Sequence, residues 1–92
     1  MIRFEWDPAK ARTNLGKHGV SFEDAMYVFE DPWALFEQDR VDEETGEPRW
    51  QAIGEAGGTV VLLVAHTAPE VRIISARMAT RKERIRYEQS RA

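Results

Sequence analysis

From residue 2 the chain alternates, with Ile2, Phe4 and Trp6 apolar and Arg3 and Glu5 polar. A period of two predicts a short, half-buried strand. Asp7-Pro8 then sets an N-cap residue before proline at the first helical position. A helix follows from Pro8 to about Lys17, with Ala9, Ala11 and Leu15 as its sparse apolar positions. Gly19 suits the left-handed position just past its end. Ser21, with Asp24 three residues on, caps a second helix. Its residues Phe22, Ala25, Met26 and Phe29 recur at helical spacing. Asp31-Pro32 ends that helix, because the residue before proline avoids helical angles. Trp33, Leu35 and Phe36 read as a short strand, and residues 37–48 (EQDRVDEETGEP) as an exposed acidic loop.

Beyond residue 48 the pattern is that of a sheet. RWQAIG is a strand, and EAGG is a tight turn whose glycines supply positive φ. TVVLLVAH is the most apolar run and, being short and valine-rich, predicts a central strand. Ala68-Pro69-Glu70 turns the chain into a further strand, VRIISARM. Thr80 and Glu83 form a capping box that opens a last helix, Arg81 to about Ser90. The reading is a small single α+β domain: an antiparallel sheet with two N-terminal helices and one C-terminal helix, all packed on one face.

Composition narrows the chemistry. The 92 residues contain no cysteine, which excludes disulfides, thiol catalysis and cysteine-based zinc sites. The two histidines are far apart and no metal-ligand spacing is visible, so no metal and no cofactor are expected. No apolar run is long enough to cross a membrane. The N-terminus lacks an apolar signal core, and a cytoplasmic protein is expected. The net charge of −3 hides an asymmetry. Residues 21–47 carry ten acidic side chains and one basic, whereas residues 72–92 carry seven basic and two acidic. That split predicts a positive patch built from both chain ends, with the acidic middle facing elsewhere.

The candidates for chemistry are Lys17, His18, Arg49, His66 and Arg77, with Arg81, Lys82 and Arg84 of the last helix as backbone-phosphate contacts. Such a set suits RNA cleavage by the 2′-hydroxyl. That reaction needs a base, an acid and cations for the charge on phosphorus, which histidine and arginine supply. In this scheme Arg49 and Arg77 hold the phosphate, His66 or His18 moves protons, and Lys17 stabilises charge. Plainer readings stand beside it. Lys17 and His18 complement a helix dipole. His66 bonds a turn, Arg77 pairs with Glu5 or Glu55, and the arginines of the last helix face solvent. A non-catalytic interaction module, binding a partner without cutting RNA, is the alternative.

Two stretches, FEWDPAKARTNLGKHGVSFEDAMYVFEDP and RIISARMATRKERIRYE, closely resemble the BrnT family of type II toxin–antitoxin toxins. The N-x-x-K-H-G-V-S-F corner and the I-I-S-A-R-x-A-T-x-x-E-R ending match in order and spacing. The resemblance implies a RelE-like fold and a ribonuclease that stops translation. It also implies a BrnA-like ribbon-helix-helix antitoxin, which forms a hetero-oligomer with the toxin and brings it to operator DNA to repress their own promoter.

Overall fold

The computed structural model describes residues 3–58, 60–68 and 70–91. Ile2, Thr59 and Pro69, assigned above to two strands and a turn, lie outside the described residues. The chain runs β1 (Phe4–Glu5), α1 (Pro8–His18), α2 (Phe22–Met26) and a 3-10 turn (Tyr27–Glu30). Then come β2 (Leu35–Val41), β3 (Pro48–Ala56), β4 (Val60–His66), β5 (Val71–Met78) and α3 (Arg81–Ser90). The five strands form one sheet in the order β1-β5-β4-β3-β2, so the apolar β4 is central as expected. No described helix is long and apolar enough to cross a membrane.

Three expectations need correcting. The sheet is not wholly antiparallel, because β1 runs parallel to β5, with Phe4 opposite Val71. The stretch 37–48 is not all loop. β2 continues to Val41 and pairs with β3, leaving residues 42–47 as the hairpin turn, where Asp42 Oδ1 accepts from the Glu44 and Thr45 amides at 2.9 and 3.2 Å. Pairing with β3 holds this polar segment extended although it has little apolar character of its own.

The helices also divide between the two faces. Ala52, Leu62, Val64, Ile73 and Ala76 pack beneath α1 and α2 with Phe22, Ala25 and Val28. Ile53, Val61 and Leu63 point the other way and pack against Tyr87 of α3. A strand apolar on both sides needs cover on both sides, and VVLLVAH, the β4 strand, is such a strand. Each fully buried large side chain here, such as Phe22 or Tyr87, contributes roughly 1.5–3 kcal/mol.

The edge of β3 beyond Leu35 is closed by Asp31 rather than by a strand. Its Oδ2 accepts from the Glu55 amide at 2.8 Å and from the Tyr87 hydroxyl, and its Oδ1 accepts from the Trp33 amide at 2.9 Å. Burial works to raise the Asp31 pKa, but these hydrogen bonds and the Arg91 charge outweigh it and hold the carboxyl below its ordinary range. Tyr87 is pushed up to about 12, by burial first and then by its bond to Asp31. Gly54 allows the close approach, since a Cβ there would lie 3.0 Å from Val28 Cγ1 and 3.1 Å from the Ala34 Cβ.

Candidate functional site

The corner between α1 and α2 forms as its sequence predicts. Gly19 adopts φ 69° and its amide bonds the Leu15 carbonyl at 2.9 Å. Ser21 Oγ accepts from the Asp24 amide at 3.0 Å. What pins the corner to the sheet is Asn14, which the periodicity does not single out. Its Nδ2 donates to the Val20 carbonyl at 2.9 Å and the Ala76 carbonyl at 2.8 Å, while Oδ1 accepts from the Ala76 amide at 3.1 Å. One side chain thus satisfies both backbone groups of a β5 residue that has no neighbouring strand on that side. Leu15, one of the helix's few apolar positions, is half-exposed, and Ala11 and Asn14 face the core. The available signal was an asparagine, a poor interior helix residue, three positions after Ala11.

This anchoring decides where the cations lie. One turn beyond Asn14, the exposed Lys17 and His18 line an open cleft of about 310 Å³ with Lys10 and Thr13, against Ile74 and Ser75 of β5. Arg77 follows Ala76 and projects from the opposite face of β5, opposite Leu63. The start of α3 sits beside it and carries Arg81 and Lys82, both exposed. The outer half of β5 therefore has cations on both sides: Lys10, Lys17 and His18 from α1, and Arg77, Arg81 and Lys82 at the turn into α3. Arg84 lies further along the exposed side of that helix.

Arg77 pairs with neither Glu5 nor Glu55. Its guanidinium donates to both carboxylate oxygens of Glu83, at 2.8 and 3.0 Å. Glu83 also accepts from the Thr80 amide at 2.8 Å, closing the capping box. The bonds from Arg77 are the main reason that Glu83 falls from 4.5 to about 2. A carboxylate depressed in the folded state stabilises the fold above its ordinary pKa, and that contribution is lost as pH falls through the folded value. The melting temperature is thus expected to fall more steeply between pH 4.5 and about 2 in the wild type than in Glu83→Gln. Parallel curves would show that the pair adds nothing to stability.

Arg49 and His66 stand apart from this edge. By the strand register Arg49 is two strands and four residues away from Arg77, about 16 Å at Cα. Its guanidinium bonds Asp42 at 2.8 Å. The two arginines do not converge on one phosphate. His66 is 3% exposed and sits on the α1/α2 face, its ring centroid 4.9 Å from that of Phe29 and 6.2 Å from that of Phe36. Its Nδ1 donates to the Thr67 carbonyl at 2.7 Å, so the neutral ring leaves Nε2 bare and without a partner. Burial lowers its pKa, against a smaller opposing effect of the Thr67 carbonyl. The placement is that of a core histidine. Among the described residues no three His, Asp or Glu side chains gather as metal ligands.

Residues 6–83 match a family model described as the ribonuclease toxin, BrnT, of type II toxin–antitoxin systems. The matched span ends at Glu83, so it includes the corner, β5 and the start of α3. Among solved structures, the fold is similar to that of the Brucella abortus ribonuclease toxin BrnT. The two share 28% identity over 88% of this chain and 100% of that one, with a TM-score of 0.69. No curated protein matches the chain significantly.

Proposed function

Since the chain belongs to the BrnT family of type II toxin–antitoxin ribonuclease toxins, we propose that it cleaves single-stranded RNA, without a metal ion, at the outer half of β5. The observation that carries this is the Asn14–Ala76 contact, which holds Lys17 and His18 of α1 beside the strand that bears Arg77. Arg77 binds the scissile phosphate, its permanently charged fork suiting non-bridging oxygens. Glu83 keeps that fork extended until the phosphate takes its place. His18 brings an imidazole, the side chain suited to proton transfer near neutral pH, and accepts the 2′-hydroxyl proton. The 2′-oxygen attacks phosphorus and the bond to the 5′-oxygen breaks, giving a cyclic phosphate. Water protonates the leaving oxygen, and the Lys17 ammonium stabilises the negative charge of the transition state. Arg81, Lys82 and Arg84 track the neighbouring phosphates.

The partner that the family implies is an antitoxin. We take it to be of the BrnA-like ribbon-helix-helix type, neutralising the toxin in the cytoplasm and repressing their common promoter with it. Incubating the purified chain with single-stranded RNA in a chelator is expected to give fragments with cyclic phosphate and 5′-hydroxyl ends. Intact RNA with and without divalent ions would overturn the enzyme reading, and cleavage only with divalent ions would overturn the metal-free step.

Binding through about five phosphates sets the salt dependence. With a slope of roughly −0.7 per phosphate on single strands, affinity is expected to fall about a hundredfold from about 50 to about 200 mM salt. A nearly flat titration would mean that this cationic edge does not hold the RNA backbone.

A further inference from the structure

Parts of the sheet's exposed backbone are closed locally. Phe4 and Glu5 pair with the start of β5, Asn14 occupies Ala76, and Asp31 takes the Glu55 amide of β3. The outer side of β2 has no backbone partner among the described residues from Phe36 to Val41. A strand edge left open over six residues is a template for another chain, which proteins ordinarily blunt or cover.

We propose that this edge is the docking site for the antitoxin, which adds an extended segment of alternating basic and apolar residues as a further strand. The proposal rests on the partner implied by the family and not on the cleavage site at β5. Main-chain hydrogen bonds along β2 would give affinity, and side chains would give selectivity. Trp33, Phe36 and Val41 are each about half exposed along this strand and its lead-in, and offer apolar contact. Glu30, Asp39, Glu43 and Glu44 are exposed with no cation within ion-pair distance among the described residues. Their charge calls for a basic partner. It also argues against a second copy of this chain, since two such edges would repel, and the bulge between Gln38 and Arg40 interrupts self-pairing further.

The test titrates the separately purified chain with its cognate antitoxin and compares wild type with D39K/E43K/E44K. The three positions are solvent-exposed, and Asp42 is kept to hold Arg49. The variant is expected to bind at least about tenfold more weakly, while its RNA cleavage without antitoxin stays at the wild-type rate. Hydrogen exchange on the wild-type complex should show slowed amides within residues 36–41. Affinity within about twofold of wild type, or protection confined to β5 and α1, would overturn the proposal. Affinity is read in the absence of RNA, so failure of the cleavage reading would leave this result standing on its own.

Discussion

Asn14→Ala is expected to destabilise the protein by about 3 kcal/mol or more. The side chain makes three buried hydrogen bonds, and its loss strands the Val20 carbonyl and both backbone groups of Ala76. Each stranded group costs roughly 1–3 kcal/mol, against a total of about 5–15 kcal/mol for a native domain. The melting temperature should fall by about 12 °C or more, at roughly 4–8 °C per kcal/mol. Asn14→Asp should do no better, since it sets a second carboxylate oxygen against two carbonyls where an amide had donated. Urea titration measures both variants directly. A loss under about 1 kcal/mol would mean that water replaces Asn14 at the open edge. The effect bears on function too, because Asn14 is the link that sets Lys17 and His18 beside β5.

Asn14 also marks where sequence patterning stopped. Strand and helix periods placed the bounds of β3, β4, β5 and the helices closely, because core residues such as Phe22 and Leu62 repeat at the spacing of their element; in β5 a bulge breaks the alternation and puts Ile73 and Ala76, three residues apart, in the same core. Gly19, Ser21 and Thr80 were legible because caps act through neighbouring backbone. The features that escaped depend on residues distant in the chain. Asn14 acts on Ala76, 62 positions away. β2 runs past its apolar residues because β3 pairs with it. The placement of α3 on the opposite face follows from β4 being apolar on both sides. Glu83 serves both the capping box and Arg77, and the local spacing of Thr80 and Glu83 signals only the first. His66 looked available for chemistry as a polar strand end, whereas the rings of Phe29 and Phe36 enclose it. The corner residues Lys17 and His18 keep a dipole-complementing role at the end of α1, and the Asn14 contact gives them a surface to face as well.

The second large effect concerns catalysis. Removing the proton carrier typically costs about 10²–10⁴ in rate, and removing a preorganised cation at the developing charge about 10²–10³. His18→Ala and Arg77→Lys are therefore each expected to lower the cleavage rate at least about a hundredfold, and Lys17→Ala by a similar factor. Arg77→Lys keeps a charge facing Glu83, so α3 should remain docked on the sheet through Tyr87, and circular dichroism with thermal melting checks that.

The most direct measurement is the rate of RNA cleavage in chelator for the wild type, His18→Ala, Arg77→Lys and Arg49→Ala, side by side at one salt concentration. Cleavage at the edge of β5 predicts a loss of about a hundredfold or more in the first two variants. Arg49→Ala, whose arginine lies two strands away on Asp42, should stay within about threefold of the wild type. The contrary result is an inactive Arg49→Ala beside His18 and Arg77 variants that cut as fast as the wild type. That outcome would move the reaction to the β2–β3 hairpin and away from the edge that Asn14 holds together.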